Sequence, residues 1–191
     1  MYKRQELARL TGAPVHFCHV STARAVTLIR RAKEDGIRVT AESAPHYFTL
    51  NETAIGEFDT NAKMSMPLRT PEDIAGIIEG LRSGVLDCIA SDHAPHDLDS
   101  KNKEFSEASF GILGFQTTLP LTLAQVRAGK FSLARAVEML TAAPARCLRL
   151  RHASGPLGTL AIGSPADISV IDLEREEILT PERILSKSKN T

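Results

Sequence analysis

Two apolar segments that flank an amphipathic helix constrain the fold of this chain more than any other feature. Segment 15–20 (VHFCHV) is rich in β-branched and aromatic residues, and a similar segment, 37–42 (IRVTAE), follows it. Between them Ser21 and Thr22 are good N-caps for a helix that runs through about Glu34. A strand, a helix and a strand within about thirty residues form a βαβ unit with parallel strands. The sequence therefore predicts an α/β fold.

Further elements follow along the chain. Thr70, with proline directly after it, predicts the start of a helix that ends at Gly84, and segment 86–91 (LDCIAS) predicts a third strand. Another helix is expected over residues 132–142. Segment 167–172 alternates between polar and apolar residues and predicts one more strand.

Composition excludes several classes of protein. Lys and Arg number 23 and Asp and Glu number 23, so the net charge is zero and no basic surface for nucleic acid or membranes is expected. The longest uncharged segment, 108–126, contains glycines, a proline and threonines, unlike a membrane span of about 20 apolar residues. The three cysteines show no CxxC spacing and indicate reduced thiols. We therefore predict a cytoplasmic protein with no nucleic-acid or membrane partner.

Polar residues gather where the predicted strands end. His19, Glu42 and Asp92 lie at the C-terminal ends of the three strands, the edge at which α/β folds bind ligands. Three strands with their helices occupy only part of what a closed barrel of eight strands in roughly 250 residues requires. The sheet is therefore either small and open or part of a barrel.

The first of these residues, His19, ends a segment with a second histidine and a cysteine. Side chains alternate along a strand, so Val15, Phe17 and His19 are expected on one face. His16 and Cys18 are then expected on the other face, which makes Cys18 and His19 a poor pair of metal ligands. A histidine at a strand end is either a hydrogen-bonded structural residue or a ligand.

Three loops carry further candidates. In DHAPH, Asp92 at the end of a buried strand needs hydrogen bonds or a metal, and His96 returns toward the same pocket; the alternative is an Asx-turn. Lys63 supplies a cation beside a pocket loop, or a solvated charge. The glycines of segment 110–117 (FGILGFQT) either present backbone amides to an anionic ligand or form a tight packing turn.

Together these motifs resemble the bacterial type I dihydroorotase family of the metal-dependent amidohydrolase superfamily. The resemblance runs from about Leu7 onward, and DHAPH is its most specific element, whereas the GxLxxGxxADI pattern is common to many amidohydrolases. The motifs that carry it are HFCHVSTARAV, AESAPHYFTLNE, NAKMSMPLRTPED, DCIASDHAPH, FGILGFQT and GTLAIGSPADISVIDLE.

The resemblance implies a role for each matching residue. It makes His19 a ligand of the more exposed of two zinc ions, and Asp92 a ligand of the more buried ion and the residue that moves the reacting proton. His46 matches a position that is not a metal ligand. Ser65 stands where the family has asparagine, and Met66 replaces a proline. The implied substrate contacts are Ser65, His96, Phe110 and Gly111.

The remaining metal ligands of the family are expected outside this chain. They include a His-x-His pair on strand one, which does not occur here, and the first strand of this chain corresponds to the sixth of the family. We therefore predict a fragment. Residues 7–152 would form the C-terminal part, about three of eight strands, of a (β/α)8 TIM barrel, and residues 153–191 part of an appended β-domain.

The implied activity is reversible hydrolysis of the cyclic amide of dihydroorotate to carbamoyl-aspartate, in pyrimidine biosynthesis, with the fragment inactive alone. One alternative is another cyclic amidohydrolase, a hydantoinase or allantoinase, but His96 and the KxxxPLR loop favour dihydroorotase. A second is a non-catalytic subunit that scaffolds aspartate transcarbamoylase, although such a subunit would be expected to lose His19 and Asp92. A homodimer, or association with aspartate transcarbamoylase, is the partner expected for the intact protein.

Overall fold

A parallel β-sheet forms the framework of the protein in a computed structural model that describes residues 2–191. The strands are β1 (Val15–Phe17), β2 (Val39–Ser43) and β3 (Cys88–Ile89), in the order β1-β2-β3. Val15 pairs with Val39 in parallel register, and β2 pairs in parallel with β3. The predicted βαβ unit and the α/β fold with a parallel sheet are confirmed.

β1 and β3 are shorter than predicted because the chain leaves the sheet before His19 and Asp92, whereas β2 extends through Glu42. β1 ends at Phe17, and His19 has a φ of 56°, while Asp92 beyond β3 has a φ of 46°. Few residues other than glycine adopt such left-handed conformations. Strand alternation therefore does not set the direction of the His19 side chain, contrary to the prediction.

Helices connect and cover the strands. The structure confirms the predicted N-caps: Thr22 and Thr70 each accept a hydrogen bond from a backbone N–H three residues later. The predicted end of the second of these helices is also confirmed, since Gly84 has a φ of 79°. The α-helices are α1 (Tyr2–Thr11), α2 (Ala23–Glu34), α3 (Pro45–Thr49), α4 (Pro71–Ser83), α5 (Leu98–Lys101), α6 (Phe115–Arg127), α7 (Leu133–Leu140) and α8 (Ala142–Cys147). Short 3-10 helices cover Glu52–Ile55, Thr60–Ala62 and Pro181–Arg183.

Two of these helices differ from expectation. The predicted helix 132–142 stops at Leu140, and α8 begins directly afterwards with Pro144 in its first turn, where proline is tolerated. Helix α6 was not predicted, because it lacks charges in its first three turns and contains Pro120. No helix among residues 2–191 is long and apolar enough to cross a membrane.

The core lies between the sheet and the pair of helices α2 and α4. Ile29 of α2 and Ile77 and Leu81 of α4 are fully buried in one hydrophobic cluster with the sheet. The two helices approach closely where Gly76 of α4 faces Ala23 of α2, because a Cβ atom at Gly76 would lie 2.4 Å from the Ala23 Cβ.

Replacing Gly76 by alanine is therefore expected to destabilise the chain by about 1–3 kcal/mol, since the helices must separate to admit the methyl group. Where a helical glycine faces open space, alanine instead stabilises the helix by up to about 1 kcal/mol. The sign of the change in the free energy of unfolding therefore shows whether the two helices are in close contact at Gly76. Urea unfolding monitored by circular dichroism measures it. The double variant Ala23→Gly/Gly76→Ala should recover part of the loss; equal or greater stability of the single variant would contradict this packing.

The C-terminal segment differs most from expectation. Within residues 153–191 the structure has no strand, and the strand predicted at 167–172 is wrong. The apolar side chains of segment 167–172 do not pack on a neighbouring strand or on the core, since Ile168 is 66% and Val170 is 96% exposed. The assignment of this segment to an appended β-domain, with a boundary near residue 153, stays a prediction.

Candidate metal centre and substrate loops

Four ionisable side chains meet at the carboxyl edge of the sheet. Glu42 lies within β2, His19 follows β1, and Asp92 follows β3, as the sequence predicts for this edge. His46, in the short helix α3 directly after β2, joins them. Asp92 lies within 3.6 Å of both histidines, so it is the centre of the cluster.

Glu42 holds His19 in place. Its Oε1 atom accepts the backbone N–H of His19 at 2.5 Å and lies 2.9 Å from Nδ1 of the imidazole. The contact with Glu42 raises the pKa of His19, against the opposing effect of partial burial. With Nδ1 turned to Glu42, the other ring nitrogen, Nε2, faces Asp92 Oδ1 at 3.6 Å.

His46 faces the other oxygen of the same aspartate. Its Nε2 lies 3.4 Å from Asp92 Oδ2, and its ring, only 4% exposed, lies 4.1 Å from that of Tyr47. Burial acts to raise the pKa of Asp92, but the contact with His46 and the charge of His19 outweigh it, and the net pKa is lowered. Asp92 is therefore a carboxylate at neutral pH.

This arrangement fits a metal ion. His19 Nε2 and Asp92 Oδ1 are 3.6 Å apart, a spacing that suits two ligands of one tetrahedral ion with bonds of about 2.0–2.2 Å. It equally suits one ligand on each of two ions about 3.5–4 Å apart, the arrangement that the resemblance implies. One buried atom beside Asp92, His46 Nε2, has no hydrogen-bond partner in the described part of the chain. Imidazole and carboxylate are ligands that zinc accepts.

Three of the four predicted substrate residues, His96, Phe110 and Gly111, form a second cluster on two neighbouring loops. His96 Nε2 lies 2.7 Å from the carbonyl oxygen of Phe110, and a Cβ atom at Gly111 would lie 2.5 Å from the Ala94 side chain. The DHAPH loop and the loop at Phe110 therefore pack directly on each other. Ser65 is exposed, and its neighbour Met66 lines a cavity of about 330 Å³ together with His19.

The glycines of segment 110–117 do not present their amides to a ligand. Gly111 donates its N–H to the Lys63 carbonyl at 2.9 Å, and Gly114 donates to His93 Nδ1 at 3.0 Å. Gly111 has a φ of 132°, and a Cβ atom at Gly114 would lie 2.1 Å from a backbone oxygen of Ser91. The tight packing turn is the correct alternative.

Two buried lysines hold the loop at Phe110 in place. Lys63, 7% exposed, donates to the carbonyls of Ser106 and Ala108 at 2.9 and 2.7 Å, and its Nζ lies 4.5 Å from the centre of the Phe110 ring. Lys101, 4% exposed, donates to the carbonyl of Gly111 at 3.1 Å. The Lys63 charge is thus neither solvated nor directed to a ligand.

Sequence reasoning missed three contributors to these clusters. The strand ends predicted that Glu42 lies at the sheet edge but indicated no function for it. A charged residue inside a buried strand is itself a sign of a functional or ion-paired side chain. His46 is absent from the predicted metal site because it matches a family position that is not a metal ligand. Asn190, 4% exposed, donates to the carbonyls of Ala94 and Gly111 at 2.9 and 3.1 Å and so joins the two substrate loops. Nothing local in the sequence indicates that contact.

Comparison with known proteins places this geometry in a family. The pattern of the amidohydrolase family matches residues 3–191. Dihydroorotases from Syntrophotalea carbinolica and Trichlorobacter lovleyi are 52% and 48% identical over 185 residues, 97% of this chain and 42% of each relative. The chain therefore spans less than half the length of the relatives it matches.

Solved structures show the same fold. The L-hydantoinase (dihydropyrimidinase) from Arthrobacter aurescens aligns with a TM-score of 0.80 at 31% identity, covering 86% of this chain and 37% of that protein. The dihydropyrimidinase from Brevibacillus agri aligns with a TM-score of 0.78 at 28% identity, over 86% and 37% of the two chains. The family pattern, the relatives and the fold agree: this chain belongs to the amidohydrolase family.

Proposed function

We propose that this chain is part of a dihydroorotase, which hydrolyses the cyclic amide of dihydroorotate to carbamoyl-aspartate and closes it again in reverse. The observation that carries the proposal is the His19–Asp92 pair, 3.6 Å apart, in a chain 52% identical to a dihydroorotase. By the same resemblance its strands are the last three of a (β/α)8 barrel. We expect the intact protein to act in cytoplasmic pyrimidine biosynthesis, either as a homodimer or in association with aspartate transcarbamoylase.

His19 and Asp92 would hold zinc, the remaining ligands coming from outside this chain. When bound, the metal supplies positive charge that makes water a better nucleophile at neutral pH and polarises the amide carbonyl. Glu42 fixes the His19 ring so that Nε2 is the atom offered to the metal.

Asp92 transfers a proton from the attacking water to the ring nitrogen that leaves. Its carboxylate accepts a proton from the water that attacks the carbonyl carbon and delivers it to the ring nitrogen as the C–N bond breaks. The lowered pKa of Asp92 keeps the carboxylate ionised and ready to accept that proton. His46 Nε2 lies 3.4 Å from Oδ2, and its buried ring limits the positions open to the carboxylate.

The substrate ring would be bound by the second cluster. His96 and the backbone of Phe110 and Gly111 are the proposed contacts, with Ser65 on the neighbouring loop. Because the N–H and carbonyl of Gly111 are engaged within the chain, its proposed contribution is close approach of the backbone to the ring rather than a hydrogen bond. Lys101 and Asn190 each donate a hydrogen bond to the Gly111 carbonyl and so fix the position of this backbone.

These roles are testable in a longer protein, called the reconstituted enzyme below. It is this chain fused to the part of the Syntrophotalea carbinolica dihydroorotase that lies outside the matched 42%. His96→Ala in this protein is expected to raise KM for dihydroorotate by about tenfold, the value of one lost hydrogen bond, with a smaller effect on kcat. The physical reason is that His96 contacts the substrate rather than the reacting bond.

Steady-state kinetics measures the split between KM and kcat. His152→Ala is the matched control, because His152 is exposed and its side chain hydrogen-bonds only to the nearby Ser154 in the described chain. A loss confined to kcat in His96→Ala would remove His96 from substrate binding.

A hydantoinase is the second candidate, since the aligned structures carry that name. Turnover of dihydroorotate, hydantoin and allantoin by the reconstituted enzyme distinguishes the candidates. We expect dihydroorotate to be the preferred substrate. Hydantoin turnover without dihydroorotate turnover would overturn the proposal, and a protein that binds zinc but turns over none of the three would favour a scaffold subunit.

A further inference from the structure

We propose that His16, Cys18 and Glu42 form a second cation site, separate from the His19–Asp92 pair and suited to a thiophilic divalent ion such as zinc or cadmium. Each of the three residues offers one ligand atom, and these atoms all lie within 4.8 Å of one another. The proposal stands on this cluster alone and does not depend on the proposed enzyme activity.

The strand register brings the three side chains together. His16 pairs with Thr40 across the parallel strands, and their side chains touch, with Nδ1 and Oγ1 2.8 Å apart. Side chains two residues apart on a strand share a face, so Glu42 lies on the same face as Thr40. Cys18 follows β1 by one residue and completes the group.

Glu42 supplies the observation that points to a ligand. The residue is 3% exposed, and its Oε1 atom is engaged with His19, but Oε2 has no hydrogen-bond partner within residues 2–191. A buried carboxylate oxygen without a partner is costly, and a bound cation removes that cost.

His16 is prepared for a cation in a way common to metal-binding histidines. When its proton is on Nδ1, that nitrogen donates to the Thr40 hydroxyl and leaves the lone pair of Nε2 for a metal. A hydrogen bond on the far ring nitrogen fixes the tautomer and the orientation of metal-ligating histidines in general.

Cys18 sets the class of ion and the route of entry. A thiolate with an imidazole selects zinc-like ions over magnesium or calcium, which prefer oxygen ligands. The thiol is exposed, so an ion can reach it from solvent. Ligand bonds of about 2.0–2.3 Å place tetrahedral ligands about 3.3–3.8 Å apart, and rotation of the exposed Cys18 side chain brings the group toward that spacing.

Cobalt titration of the purified 191-residue chain tests the site, because a cobalt–thiolate bond absorbs in the near ultraviolet whereas cobalt bound to His and Asp alone does not. We expect this band to saturate with one ion per chain. Cys18→Ser should abolish it and raise the Kd for cadmium by at least about tenfold, the lower end of what a lost supporting partner costs a metal site.

Two control variants separate this site from others. Cys147→Ser removes a half-buried thiol on α8 and should leave the band unchanged. Asp92→Asn disrupts the pair with His19 and should also leave it unchanged. Far-ultraviolet circular dichroism checks that each variant is folded. Absence of the band in the unmodified chain, its survival in Cys18→Ser, or its loss in Asp92→Asn would overturn the proposal.

Discussion

Asp92→Asn in the reconstituted enzyme is expected to lower kcat for dihydroorotate by about 10²–10⁴-fold, the range for loss of a general base, with substrate binding still measurable. The amide keeps the size of the side chain and still fits between His19 and His46. It cannot accept a proton from water, and it is a poorer metal ligand than a carboxylate. The loss should therefore fall on kcat rather than on KM.

Asp97→Asn is the matched control for this variant. Asp97 is exposed, five residues further along the same loop, and caps α5 by accepting the N–H of Ser100 at 2.8 Å. Asparagine caps helices about as well as aspartate, so the control should keep the kcat of the parent. An unchanged kcat in Asp92→Asn would remove Asp92 from the proposed role.

The 191-residue chain by itself is expected to bind zinc weakly at the His19–Asp92 pair and to show no enzyme-level hydrolysis of dihydroorotate. That pair supplies two ligands, whereas a zinc site is usually four-coordinate. The relatives it matches are more than twice as long, so the remaining ligands would come from sequence outside this chain. Metal analysis of the Cys18→Ser chain, which lacks the thiol of the proposed second site, and an absorbance assay for dihydroorotate on the purified chain measure the two quantities.

The same chain is expected to be marginally stable and to self-associate. In the described structure β1 and β3 each have one edge without a strand partner, and such edges pair with other chains. Apolar side chains far from the core add to the effect: Leu10 is 80% and Leu160 86% exposed. Light scattering at increasing concentration measures this association, and a monomer at all concentrations would contradict it.

Local signals in the sequence were sufficient for the framework of the fold. The caps at Thr22 and Thr70 are formed by side chains that bind backbone groups three residues away, so a short window of sequence contains the whole interaction. The parallel pairing of β1 with β2 follows from the length of the connection between them. The strand ends also predicted that His19 and Asp92, 73 residues apart, lie at one edge of the sheet, and they are 3.6 Å apart in the structure. The resemblance added the hypothesis that both bind metal.

Interactions between distant residues account for what was missed. Asn190 binds Gly111 across 79 residues, and no local pattern records such a contact. The left-handed conformation of His19 ends β1 early because the backbone N–H of this residue binds Glu42, 23 residues away. The strand predicted at 167–172 failed for a related reason: alternation produces a strand only where a neighbouring strand accepts its hydrogen bonds.

Comparing the isolated chain with the reconstituted enzyme tests the central claim, that His19 and Asp92 are one part of a zinc-dependent dihydroorotase site. Both proteins are assayed for zinc content and for dihydroorotate hydrolysis, with the Asp92→Asn variant of the reconstituted enzyme alongside. We predict turnover in the reconstituted enzyme, its loss in the variant, and none in the isolated chain. Two zinc ions per chain with robust turnover in the isolated chain, or turnover that Asp92→Asn leaves intact, would contradict the account.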